Sequence, residues 1–173
     1  MFSEDNPIYS KVSNAAIDTF VDLGGHTLLR DNNTNFYFFG KDPIGGGQII
    51  FGSRENLDIN GLKQLALRLT SSAQVTLVLE LILSCTSKSK QTLCAGITTL
   101  GSTPQPYEDL GTFEVNGLTE ARFIKTLSFK KNQSFTIIIW QRDVGDPITI
   151  FSKNDKNWKN ILNFSFPLLN PQE

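Results

Sequence analysis

One histidine, one methionine and two cysteines are all that this 173-residue chain carries of those residue types. The scarcity excludes several kinds of chemistry. A nucleophilic triad needs a positioned base, and the single imidazole, His26, stands beside Gly24 and Gly25 in the turn-like stretch "DLGGHTLL", where a surface position is expected. Two cysteines and one distant histidine cannot supply the four ligands of a structural zinc. Charge of one sign is lacking too. Sixteen Lys and Arg stand against seventeen Asp and Glu, so there is no cationic excess to neutralise phosphates, and nucleic acid is not an expected partner. No apolar run approaches the ~18–20 residues that cross a bilayer, and membrane insertion is not expected. The start, "MFSEDNPIYS", lacks the basic stretch and apolar core of a secretory leader.

Two suggestive stretches also fall short. "GGG" at 45–47 lacks the helix and the Lys-Ser/Thr of a phosphate loop, and reads as a linker or hairpin loop. "DNNTN" at 31–35 lacks the spaced carboxylates of a calcium loop. Asn32, Asn132 and Asn163 each open an Asn-x-Ser/Thr triplet, which reads as chance in an Asn-rich chain without a leader. The expectation is a protein without catalytic activity, metal or cofactor.

What the chain does have is alternation. Apolar residues make up 39% and charged residues 19%, with thirteen Phe, as expected of one folded domain over 1–173 that buries an aromatic core. In "VTLVLELILSC", Val75, Leu77, Leu79, Leu81, Leu83 and Cys85 fall on one face of a strand. "LALRLT" puts Leu65, Leu67 and Leu69 on one side, and the "SSAQ" that follows has the composition and length of a hairpin turn. Later, "FIKTLSF" alternates, "KKNQ" turns, and "SFTIIIW" places Phe135, Ile137 and Ile139 inward with Thr136, Ile138 and Trp140 outward.

These stretches form two copies of one unit. Each runs strand, Asn-Gly turn (60–61 and 116–117), strand, polar turn, strand. Asn-Gly supplies the positive φ that a tight turn needs. Two three-stranded units stacked by their apolar faces predict an all-β, antiparallel two-sheet β-sandwich. Helix signals are thin. "NLDINGLKQLAL" has room for one turn, and "SKVSNAAIDTFV" suits a short helix or a strand. Cys85 and Cys94 flank "TSKSKQTL". They are placed either to meet across a hairpin as a disulfide or to serve as small buried apolar residues.

With chemistry excluded, a binding surface remains. Sugars are held by an exposed aromatic that stacks on a C–H face and by directional hydrogen-bonding groups. Arg68 and Glu80 take outward positions on the first unit, and Trp140 and Arg142 do so at the end of the second. Tyr107 lies in the Pro-rich "GSTPQPYEDL". An antiparallel sheet would gather the first four on one face. These five are the candidate glycan contacts.

Four stretches, in order, resemble a known family: "RDNNTNFYFFGKDPIG"; "IIFGSRENLDI", with Phe51, Gly52, Glu55 and Ile59 in register; "LGSTPQPYEDLGTFEVNGLT"; and "SFTIIIWQRD". They are similar to the receptor-binding head of the rotavirus outer-capsid spike protein, the fragment released by trypsin, in a divergent species group. The resemblance implies a galectin-like sandwich on the virion surface, attachment to host-cell glycans, the remainder of the spike as a partner, and no enzymatic activity. The arginine that contacts sialic acid in some members of the family would fall near Gly46, and the loop after Asn116-Gly117 is shortened. A neutral galactose-containing or blood-group type chain is therefore the expected ligand. The competing expectation is a capsid or appendage sandwich with an assembly role only, its Trp140 and Trp158 buried against a neighbour.

Overall fold

The computed structural model describes residues 47–53, 55–60, 65–71, 73–100 and 108–168, with short strand segments before them. The strands, in chain order, are β1 (Ile8–Tyr9), β2 (Lys11–Ser13), β3 (Asp18–Asp22), β4 (Thr27–Leu28), β5 (Phe36–Phe39), β6 (Gly47–Ser53), β7 (Leu57–Ile59), β8 (Leu65–Thr70), β9 (Val75–Thr86), β10 (Gln91–Leu100), β11 (Glu108–Val115), β12 (Thr119–Phe129), β13 (Ser134–Gln141), β14 (Ile148–Ile150) and β15 (Ile161–Ser165). Every described pairing is antiparallel. "SKVSNAAIDTFV" contributes β2 and β3, so its strand alternative is the one adopted. In "NLDINGLKQLAL", residues 57–59 and 65 onward are strand, and 61–64 lie outside the described residues.

Two sheets make the sandwich. The larger, sheet 1, is built on β9, which pairs with β12 along one edge and with β15 and then β14 along the other; β6, β5 and β1 continue beyond β15, and β7 beyond β14. Sheet 2 runs β11-β10-β13-β8. A small third sheet joins β2, β3 and β4.

The alternating residues meet between the two large sheets. Leu77, Leu79, Leu81, Leu83 and Cys85 point in from sheet 1, and Leu65, Leu67, Leu69, Phe135, Ile137 and Ile139 point in from sheet 2, all essentially without exposed surface. Phe129 of β12 stacks on Phe135 of β13 with ring centroids 4.7 Å apart, and Phe113 meets Phe123 edge-on at 6.4 Å. Each such side chain contributes roughly 1.5–3 kcal/mol by leaving water.

The polar turns differ from the hairpin expectation. "SSAQ" leads from β8 in sheet 2 to β9 in sheet 1, and "KKNQ" leads from β12 in sheet 1 to β13 in sheet 2. Neither pair of flanking strands is hydrogen-bonded together. Instead β8 pairs with β13, and β9 pairs with β12 from Val75–Phe129 to Cys85–Thr119. The repeat is present, but each copy is divided between the sheets, and the second copy takes the same path with the sheets exchanged. The physical reason is length. Pairing β9 with β12 matches the two longest strands along almost their whole extent, whereas β8 would satisfy only half of β9. Four residues also suffice for the ~10 Å between stacked sheets.

The sandwich closes along one side. β11 and β12 are edge strands of different sheets, joined through Asn116-Gly117, where Gly117 has φ +68° and its N–H donates to the Ser87 carbonyl at 2.8 Å. Lys125 occupies an inward position of β12, but its stem runs to the edge. Its Nζ donates to the Asp109 carbonyl at 3.0 Å and lies 3.5 Å from Glu108.

The cysteines are unbridged free thiols. β9 and β10 belong to different sheets and do not pair, so the link between them is not a hairpin that could bring the two together. Cys85 points into the core, whereas Cys94 takes an outward position of β10 opposite Trp140. The disulfide alternative therefore gives way to that of buried thiols.

Candidate functional site

Sheet 2 carries the tryptophan as the alternation predicts. On its outer face Trp140 of β13 stands opposite Cys94 of β10, which stands opposite Thr112 of β11. Thr92 stands opposite Glu114, and Arg142 follows β13 with its N–H donating to the Thr92 carbonyl at 3.0 Å. Trp140 is half-buried; Arg142, Thr112 and Glu114 are exposed. The same face thus carries one indole, two hydroxyls, a carboxylate and a guanidinium, the Thr112 hydroxyl and Glu114 carboxylate lying across β10 from Trp140. Lys90 pairs with Glu114 at 3.0 Å, and Arg142 with Asp143 at 3.3 Å. Both are exposed pairs of the kind that contributes little to stability and exchanges readily for other partners.

The face is not uniformly open. Cys94 and Thr136 hold outward positions yet are only 5% and 6% exposed. Burial pushes the Cys94 thiol above its ordinary value; the Arg142 guanidinium acts the other way, while Asp109 and Asp143 add to the rise.

One buried amide shapes the Arg142 end. Gln141, the last residue of β13, points inward. Its Nε2 donates to the carbonyls of Asp143 and Asp146, both at 2.9 Å, and to Gln91 Oε1 at 3.2 Å, while its Oε1 accepts from the Ile148 N–H at 2.8 Å. Asn60 Nδ2 donates to the Gly145 carbonyl at 2.7 Å from the other side. The loop 142–147 is therefore cinched from beneath, and Arg142 leaves a fixed strand end. A polar residue at an inward position was the sequence signal for this anchor.

The four contacts expected on one face do not all gather there. Trp140 and Arg142 do. Arg68 lies on β8, opposite Thr136 of β13 and so four residues along that strand from Trp140; its side chain lies outside the described part. Glu80 is a correction. Its strand, β9, belongs to sheet 1, so Glu80 faces away from Trp140 across the whole sandwich and pairs there with Arg122 at 3.4 Å. The expectation failed because the first polar turn crosses between the sheets. Tyr107 lies outside the described residues. Among the described residues no group of His, Cys, Asp and Glu is arranged to hold a metal, and no helix is long and apolar enough to cross a membrane.

Trp158, which the sequence suggests only as an assembly contact, sits on the outer side of sheet 1. Its Nε1 donates to the Phe51 carbonyl at 2.9 Å. The ring lies over the outer side of β6 at Gly52, where a Cβ would come 2.7 Å from that nitrogen. A glycine inside the apolar strand "IIFGS" was the available signal, since such a residue marks a close approach.

No family model and no curated protein sequence matches the chain. Among solved structures, the chain is similar to the CBM22-1 xylan-binding domain of Xyn10C from Paenibacillus barcinonensis, with 8% identity over 79% of this chain and 85% of that one and a TM-score of 0.42. It is similar also to a second xylan-binding domain from CBM 22, at 11% identity over 80% and 86% of the two chains with a TM-score of 0.41. A tryptic core variant of Cry1Da from Bacillus thuringiensis aligns at 9% identity over 73% of this chain and 22% of that one, with a TM-score of 0.34.

Proposed function

We propose that this β-sandwich is a carbohydrate-binding domain, and that it serves as the head of a viral spike, attaching the particle to neutral host-cell glycans without a catalytic step. The observation that carries the reading is the placement of Trp140. A half-buried indole on the outer face, with Arg142 and Thr92 in the next row and Thr112 and Glu114 across β10 on β11, offers a stacking plane on a face that also carries hydrogen-bonding groups. Arg142 is set by a strand end that Gln141 holds in place, so little ordering is required on binding. The viral setting and the neutral ligand rest on the sequence resemblance. With one stacking contact and a few hydrogen bonds, single-site affinity is on the order of 0.1–1 mM. Many copies on a particle raise avidity without any new contact.

An array of neutral glycans, including galactose-terminated, blood-group and xylo-oligosaccharide chains, tests this with the purified domain. The wild type binds a defined subset, and Trp140→Ala loses the glycans held on this face while keeping its melting temperature within a few degrees. A folded Trp140→Ala domain with an unchanged array would overturn the site. A wild type that binds no glycan would overturn the function and favour an assembly role. That second reading draws on Leu118 and Val144, which are 66% and 84% exposed in loops beside β12 and β13.

A further inference from the structure

The outer face of sheet 1 is organised in rows. One row runs Ile50, Ile161, Ile82, Arg122 across β6, β15, β9 and β12. The next runs Gln48, Asn163, Glu80, Ile124 across the same strands. All eight take the outward parity, because Ile49, Phe51, Leu162, Phe164, Leu79, Leu81, Ala121 and Phe123 fill the inward one. The first row is an apolar stripe, half-buried at Ile50 and Ile161 and buried at Ile82, that ends in the Arg122 guanidinium. The second holds two amides and a carboxylate and ends in Ile124, which is 54% exposed. Beyond Ile50 the same strand brings Gly52, and over it the half-buried ring of Trp158.

Three properties set this face apart from a merely solvated one. Trp158 is locked from beneath: its Nε1–Phe51 hydrogen bond and the missing Cβ of Gly52 hold the indole in one position against the sheet. Asn163 is half-buried in mid-face, and among the described residues its side-chain amide has no hydrogen-bond partner. The apolar row and the polar row are adjacent, about 7 Å apart along the strands. A pyranose presents the same combination, an apolar C–H face beside a rim of hydroxyls. From Gly52 to Gln48 the platform extends about 14 Å along β6, more than one sugar ring requires.

We propose that this face is a second saccharide-binding site, independent of Trp140 and on the opposite side of the sandwich. Its ligand is an extended neutral oligosaccharide. The apolar faces of the sugars lie along Trp158, Ile50 and Ile161, and their hydroxyls meet Asn163, Gln48 and Glu80. Arg122 Nε lies 3.4 Å from Glu80 Oε2 and orients that carboxylate as an acceptor. The inference shares the carbohydrate reading with the Trp140 site but none of its residues. A domain with one site on each face would bridge two glycan chains.

The test is the same neutral-glycan array, read with Trp140→Ala, with the double variant Gln48→Ala/Asn163→Ala, and with all three substitutions together. Among the described residues neither Gln48 nor Asn163 has a side-chain hydrogen-bond partner to lose, so the double variant keeps the wild-type melting curve. The expected result is a set of glycans retained by Trp140→Ala and reduced at least tenfold in the double variant. If Trp140→Ala alone abolishes all binding, the second site does not exist and the Trp140 site stands. If the double variant alone abolishes all binding, the Trp140 site falls and this one stands. If glycans retained by Trp140→Ala are also retained by the triple variant, the inference is overturned. Sedimentation of a wild-type dimer that Ile124→Arg dissociates would also overturn it, by assigning the face to a second copy of the chain.

Discussion

The Asn132 N–H donates to the Ser71 carbonyl at 2.7 Å, tying one inter-sheet arch to the other. The reciprocal bond runs from the Ser71 N–H to the Gln133 carbonyl at 3.0 Å. The two polar links of the repeat are therefore hydrogen-bonded neighbours at one end of the sandwich, although 61 residues separate them (132 less 71). Asn132 reaches this position with φ +64°, a left-handed conformation that Asn tolerates better than most residues. Asn132→Gly should keep wild-type stability or exceed it slightly, while Asn132→Val should cost about 1–3 kcal/mol. Chemical denaturation of the two variants checks the order, and equal midpoints would contradict it.

Leu79 lies at the centre of β9 with no exposed surface, between pairings to Lys125 on one side and Phe164 on the other. Leu79→Ala removes buried methyl groups from a site walled by paired strands, which cannot collapse around the space. It should cost about 2–5 kcal/mol. A loss below 1 kcal/mol in equilibrium unfolding would mean that the two sheets do not pack as described.

Gln141→Leu should be costly despite similar volume. It strands the Ile148 N–H and removes the donor shared by the Asp143 and Asp146 carbonyls. Unpaired buried groups of this kind cost about 1–3 kcal/mol. Amide exchange at Ile148 should accelerate selectively, and glycan binding through Arg142 should weaken even below the melting temperature. Unchanged exchange at Ile148 would remove Gln141 from its anchoring role.

The two thiols should behave as buried and unbridged. Excess dithiothreitol leaves the melting curve unchanged, and two thiols titrate once the chain is unfolded. Burial pushes Cys85 from 9.0 up to about 12, partly offset by a backbone hydrogen bond involving Ala121. Above pH 9 the unfolded chain releases this proton while the folded one keeps it, so the group's contribution is full below pH 9 and is lost as pH rises toward 12. The slope is about 1.4 kcal/mol per pH unit for a single group. Cys85→Ala should flatten stability against pH between 9 and 11 relative to wild type; identical slopes would exclude the mechanism.

The sequence by itself determined which side of each strand is apolar. Leu77 to Cys85, Leu65 to Leu69 and Phe135 to Ile139 all point inward as their alternation required, because a period-two pattern leaves one face without polar atoms and that face must leave water. That is enough to decide an antiparallel sandwich, and enough to put Trp140 and Arg142 on one surface. Tertiary structure alone decided which strand lies beside which. Both sheets present equally apolar inner faces, so the pattern of β8 and β9 is satisfied equally by a hairpin within one sheet or by an arch between two. The choice falls to strand length and to the Ser71–Asn132 bonds, which involve residues distant in the chain. That choice sent Glu80 to the far side of the molecule and put it beside Asn163, on the face that also carries Trp158; no local pattern could join them, because their neighbourhood is made by β9 and β15 pairing across 83 residues (163 less 80).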